Sequence, residues 1–144
     1  MKVSEVMSSS VTSVNPGDTV QTAAQRMKHG DVGCLPVLER DKLQGVITDR
    51  DIVLCSVAAG QDPAETKVAD CESRLVYTVE ENANVEDAAK MMKEHQIRRL
   101  PVVSGNRLVG MLSLADLARK KELQPHSSEV LSHVSKPSMV GARR

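Results

Sequence analysis

The sequence predicts an α+β fold made of two copies of a β-α-β-β-α unit, and three observations carry that prediction. Laid over itself at a shift of 65 positions, the chain matches without a gap: Lys2-Val3 falls on Lys67-Val68, Val14 on Val79, Leu35-Pro36-Val37 on Leu100-Pro101-Val102, and Gly45 on Gly110. In each copy an apolar stripe at helical spacing marks an amphipathic helix: Val20, Ala23, Ala24 and Met27, then Val85, Ala88, Ala89 and Met92. Two short apolar runs follow, at 34–38 and 43–48 in the first copy, and read as a hairpin of buried strands.

Each element has a local cause. Thr19 and Asn84 stand where an N-cap is needed for the first helix of their copies. Glu39-Arg40-Asp41-Lys42 and Ser104-Gly105-Asn106-Arg107 supply the hairpin turns. A second helix starts at the hydroxyl of Thr48 or Ser113 and runs on through Asp51, Ile52 and Val53, or through Asp116, Leu117 and Ala118. A short strand near 11–14 opens the unit. The turn-rich stretch Gly60-Gln61-Asp62-Pro63-Ala64 joins the copies, so repeat one is taken as 1–62 and repeat two as 63–122. Beyond them, Leu123-Gln124-Pro125-His126 is expected to break the helix. That leaves 123–144 as a tail with a short amphipathic helix at 128–135, carrying Val130, Leu131 and Val134 on one face, and a frayed end from Lys136.

Composition excludes several function classes. A chain of 144 residues and 15.6 kDa holds one ordinary core or two small ones, not a large multidomain enzyme. Nineteen Lys plus Arg balance nineteen Asp plus Glu, and Tyr77 is the lone aromatic, which argues against nucleic acid as a partner. No apolar run approaches the roughly 20 residues of a membrane helix, so no membrane partner is expected. Cys34, Cys55 and Cys71 show no CxxC spacing, and no secretory leader follows Met1, which predicts a soluble, reduced, cytoplasmic protein. His29, His95, His126 and His133 are scattered; no HExxH, Walker loop or GxSxG elbow occurs. No metal, catalytic residue or enzymatic activity is therefore expected.

The capped Val-x-x-Ala-Ala-x-x-Met helix, the Leu-Pro-Val strand and the Gly-x-x-[Ser/Thr]-x-x-Asp segments at 45–51 and 110–116 together resemble the CBS domain. Written twice over about residues 2–120, they resemble a CBS pair, or Bateman module. The chain looks similar to the stand-alone bacterial CBS-pair proteins that include the hypoxic response protein group. The resemblance implies two repeats packed pseudo-twofold through their small sheets, with clefts for AMP, ADP, ATP or S-adenosylmethionine, and a sensing rather than catalytic role. By motif position it implies that Asp51 and Asp116 take ribose hydroxyls and that Thr48 and Ser113 hold phosphate. Basic residues at the positions of Arg50, Arg98 and Arg99 reach towards phosphate in related modules. A homodimer is also implied.

The chemistry agrees, since one carboxylate accepts from two vicinal hydroxyls and an arginine fork suits phosphate. An adenine slot needs apolar walls and nearby backbone, which Val32, Gly33, Leu35 and Pro36, or Ile97, Leu100 and Pro101, supply. Bland alternatives stand beside each assignment. Thr48 and Ser113 are also good helix caps, Asp51 and Asp116 also suit a first helical turn, Arg98 and Arg99 have Glu94 and Asp70 as candidate ion-pair partners, and the leucines and prolines also suit a core. Ile52, Val53, Val57 and Leu117 are candidate dimer contacts. The competing function is a structural or interaction protein with non-binding clefts and an unidentified protein partner.

Overall fold

The computed structural model describes residues 1–74 and 76–136; the expected frayed end beyond Lys136 lies outside them. The fold is α+β, and its chain separates into two compact units, Thr12–Val76 and Met1–Val11 with Tyr77 onward. The lead segment of each sequence copy is thus built into the unit of the other copy.

In the 12–76 unit, helix α1 (Val20–Gly30) is capped by Thr19, whose hydroxyl accepts from the Thr22 N–H at 3.1 Å, and it buries Val20, Ala23 and Met27. It ends at Asp31 in the left-handed region (φ 53°). Strands β1 (Cys34–Glu39) and β2 (Lys42–Thr48) form the expected antiparallel hairpin. Arg40 and Asp41 both take positive φ, as a two-residue turn matching strand twist requires. The expected opening strand shrinks to one parallel bridge, Val14 to Val37. Helix α2 (Asp49–Ile52) passes into a π turn at Val53–Val57, and helix α3 (Val68–Cys71) follows. Val14, Leu35, Val37, Ile47 and Val68 form the core with the α1 stripe.

The other unit repeats this order. Strand β3 (Val79–Glu80) runs parallel to β4 (Arg99–Ser104), which is antiparallel to β5 (Arg107–Ser113). Helix α4 (Val85–His95) lies between β3 and β4 in sequence and buries Val85, Ala88, Ala89 and Met92. Asn84 has the extended backbone of an N-cap, yet its side chain makes no capping bond. Helix α5 (Leu114–Arg119) stops at Lys120.

Helix α6 (Gln124–Val134) corrects the expected break: Pro125 sits in its first turn, where a missing N–H costs nothing, and so opens the helix. It packs on α4 and α5 through Val130, with Leu123 just before it in the same core, Lys93 on Glu129 at 3.1 Å and the Gln96 amide donating to the His133 carbonyl at 3.1 Å. The buried face is Ser127 and Val130, with Val134 packed beside it, whereas Leu131 points to solvent.

Each unit is closed by a short lead segment. Ser73 pairs with Val46, and Ser8 with Met111, at equivalent positions of the repeat. Val68 and Val3, also equivalent, are both fully buried. This explains the two motif glycines. A Cβ on Gly45 would meet the Ser73 carbonyl oxygen and Glu72 Oε1 at 2.5 Å, and one on Gly110 would meet Met7 Sδ at 2.6 Å and the Ser8 carbonyl oxygen at 2.8 Å.

Candidate functional site

In both units the strand–helix junction after the motif glycine forms the same closed box. Thr48 Oγ1 accepts from the Asp51 N–H at 3.0 Å, while the Thr48 N–H donates to Asp51 Oδ2 at 2.8 Å. Ser113 Oγ accepts from the Asp116 N–H at 3.1 Å, and the Ser113 N–H donates to Asp116 Oδ2 at 2.8 Å. These reciprocal bonds satisfy helix-terminal donors and fix each carboxylate relative to its hydroxyl. One oxygen of each carboxylate remains outside the box.

That second oxygen separates the two motifs. Arg119 donates to Asp116 Oδ1 from one turn further along α5. Leu54 holds the equivalent place after Asp51, so no cation meets Asp51 Oδ1 among the described residues. Sequence reasoning passed over Arg119, although an i,i+3 acid–base spacing on a helix was there to be read.

The strand start lies beside the box in each unit. The Asp49 N–H donates to the Gly33 carbonyl at 2.9 Å, and the Leu114 N–H to the Arg98 carbonyl at 2.8 Å. Cys34 stands opposite Thr48 in the β1–β2 register, and Arg99 opposite Ser113 in the β4–β5 register. Arg98 and Arg99 are exposed and make no ion pair among the described residues, since Glu94 pairs with Lys90 at 3.9 Å. Arg50 is exposed too, its N–H bound to Asp49 Oδ1 at 2.8 Å. The two junctions therefore differ in charge. Where Arg98 and Leu114 stand in one unit, Gly33 and Asp49 stand in the other, and a Cβ on Gly33 would meet Asp49 Oδ2 at 2.9 Å.

Of the proposed adenine walls, Val32 is exposed, Gly33 and Ile97 are half-buried, and Pro36 and Pro101 are buried. Leu35 and Leu100 are wholly enclosed in the cores of their units. Two of the candidate dimer contacts are corrected: Ile52 and Leu117 are core residues, Leu117 in the same cluster as Leu123 and Val130. Val53 and Val57 are exposed, together with Leu54.

The expectation of three reduced cysteines fails for two of them. Cys55 in the π turn and Cys71 at the end of α3 are joined as a disulfide, with Cα atoms 5.6 Å apart and a sequence separation of 16. That separation has no motif signature, so only the fold brings the pair together. Cys55 also lines a cleft of about 520 Å³ with Gln61, Asp62, Glu65, Thr66 and Asp70. Among the described residues no group of three or more His, Cys, Asp or Glu is disposed to hold a metal ion, and no helix is long and apolar enough to cross a membrane.

Comparison with known proteins agrees with this fold. The CBS domain family matches residues 3–57 and 68–122. The chain is 40% identical over 133 residues to the CBS domain-containing protein YhcV of Bacillus subtilis, covering 92% of this chain and 94% of that one. The crystal structure of Hypoxic Response Protein I with two coordinated zinc ions is 40% identical, with a TM-score of 0.76 over 83% of this chain and 98% of that one. The CBS domain protein PAE2072 from Pyrobaculum aerophilum, complexed with AMP, is 25% identical with a TM-score of 0.78 over 89% of this chain and 98% of that one. With one hydroxyl–carboxylate box inside each of the two matched segments, the chain belongs to the CBS-domain family and carries two CBS domains.

Proposed function

We propose that this CBS pair is a regulatory module, not an enzyme, that binds an adenine nucleotide of the AMP, ADP or ATP type. It passes occupancy on through a homodimer or a protein partner. The observation that carries the reading is the second junction, where exposed Arg99 stands opposite Ser113 and Arg98 is bonded through its carbonyl to the first turn after it. Arginines carried at a junction with a fixed hydroxyl suit a phosphate, and a boxed carboxylate suits vicinal ribose hydroxyls.

In this reading Asp51 and Asp116 take ribose, Thr48, Ser113, Arg50, Arg98 and Arg99 take phosphate, and the segments at Val32-Gly33 and Ile97, backed by Leu35-Pro36 and Leu100-Pro101, border the adenine. The AMP complex of the Pyrobaculum relative supports the nucleotide class. S-adenosylmethionine offers the same adenosine but no phosphate for the arginines, and ranks lower. We place the module in the cytoplasm.

The test is the melting temperature with AMP, ADP, ATP or S-adenosylmethionine in excess. A ligand at about 100 times its Kd adds roughly 2.7 kcal/mol, a shift of several degrees. Asp116→Ala and Asp51→Ala are expected to weaken binding by about 1.5–3 kcal/mol. The competing reading, an interaction protein, is favoured by the exposed Val53, Leu54 and Val57 and gains if no ligand moves the transition.

A further inference from the structure

The Cys55–Cys71 disulfide closes a ring of contacts around the first motif. Starting at Gly45, the chain runs through the Thr48–Asp51 box and the π turn to Cys55, and crosses to Cys71. The next two residues, Glu72 and Ser73, return to the starting point: Ser73 bridges Val46, and the Gln44 amide donates to Glu72 Oε2 at 2.8 Å. The second unit has no such closure, because the repeat equivalents of Cys55 and Cys71 are Lys120 and Val6.

Apart from the disulfide, little restrains the far end of this helix. Val53, Leu54 and Val57 face solvent, leaving buried Ile52 and Ser56, with the bonds between Ser56 and Gln61, as the other anchors. We propose that Cys55–Cys71 is a thiol–disulfide exchange site, at which a dithiol reductant releases the helix that carries Asp51 and is capped by Thr48. The inference is independent of nucleotide binding.

The two sulfurs are not equivalent. Cys55 lines the open cleft, whereas Cys71 packs against the core, so an incoming thiolate attacks the Cys55 sulfur. A mixed disulfide forms there, the Cys55–Cys71 bond breaks, and Cys71 leaves as a thiolate that takes a proton. The second thiol of the reductant then displaces Cys55 and closes its own disulfide. Two electrons and two protons pass to the protein. The reduced state has a ready partner: Cys55 Sγ lies 3.4 Å from the Asp70 carbonyl oxygen, a contact that becomes a hydrogen bond only once the sulfur carries a proton. Asp62, Glu65 and Asp70 rim the cleft, so a neutral or basic thiol is favoured over an anionic one.

The test uses the full chain. With dithiothreitol under native conditions, two further cysteines per chain are expected to react with a maleimide. Amide exchange over 49–57 is expected to rise about tenfold or more while 114–119 stays unchanged. Oxidised dithiothreitol restores both readings. C71S reproduces the reduced protein and no longer responds to reductant, and cysteamine outpaces glutathione at equal thiolate concentration. No gain in reactive cysteines, or a gain with unaltered exchange over 49–57, overturns the proposal on the wild-type chain even if C71S fails to fold. Equal rates for the two monothiols overturn the role given to the acidic rim.

Discussion

Arg119 donates to the oxygen of Asp116 that the capping box leaves over, and Leu54 stands at the equivalent place after Asp51. The two carboxylates are therefore unequal as acceptors for a ligand. Arg119 is largely exposed but Asp116 is buried, so removing the guanidinium takes a charged hydrogen bond from a buried carboxylate and costs more than the few tenths of a kcal/mol of an exposed helix pair. Arg119→Leu is expected to cost about 1–2 kcal/mol, a fall of a few degrees in melting temperature, and to tighten nucleotide binding about twofold to fivefold. Thermal melts check the first half of the expectation, and calorimetric titration of the variant beside the wild type checks the second.

Gly45→Ala is expected to cost about 2 kcal/mol or more, because the added Cβ would meet a backbone oxygen that cannot swing aside. Gly17→Ala, where nothing lies within 4 Å, serves as the control and is expected to stay within about 0.5 kcal/mol. Denaturant unfolding of the two variants separates close approach from a general effect of losing a glycine.

Asp31 ends α1 with φ 53°, a conformation that any Cβ makes unfavourable. Asp31→Gly is expected to raise stability by about 0.5 kcal/mol and Asp31→Ala to lower it by a similar amount. A pair of thermal melts with opposite shifts is the signature; two shifts of the same sign would refute a backbone origin.

The Lys93 ammonium beside Glu129 holds that carboxyl below its usual value of 4.5. A carboxyl depressed in the folded state contributes its stabilisation above the unfolded value and loses it as the pH falls through the folded one. Amide protection in α6, taken relative to the intrinsic exchange rate at each pH, is therefore expected to fall on acidification below about pH 4.5, more steeply than in α1. Lys93→Ala is expected to abolish that difference.

What was legible in the sequence is what depends on neighbours along the chain. The stripe from Val20 to Met27 and the Thr19 hydroxyl define α1 without reference to anything distant, and Thr48 and Ser113 announce their helices in the same way. Pro125 misled because a proline both ends helices and opens them, and only the docking of Val130 decides which. Asn84 had the right chemistry for a cap, yet no side-chain cap bond forms there. Within the candidate site, the hydroxyl–carboxylate spacing was readable. The link between Cys55 and Cys71 was not, since it depends on how α3 returns to the π turn. The need for glycine at position 45 likewise comes from Ser73, far along the chain.

The exchange of lead segments has a consequence for the origin and dissection of the protein. The stretch that recurs in the sequence begins at Lys2, but the stretch that folds as one body begins at Thr12 and runs to Val76. Relative to the duplicated segment, that body is a circular permutant, with its closing segment contributed from the C-terminal side. A fragment cut at the seam of the tandem duplication would lose Val68 and Ser73 from the first half. A fragment of residues 12–76 keeps them, and is the half-molecule with a complete core.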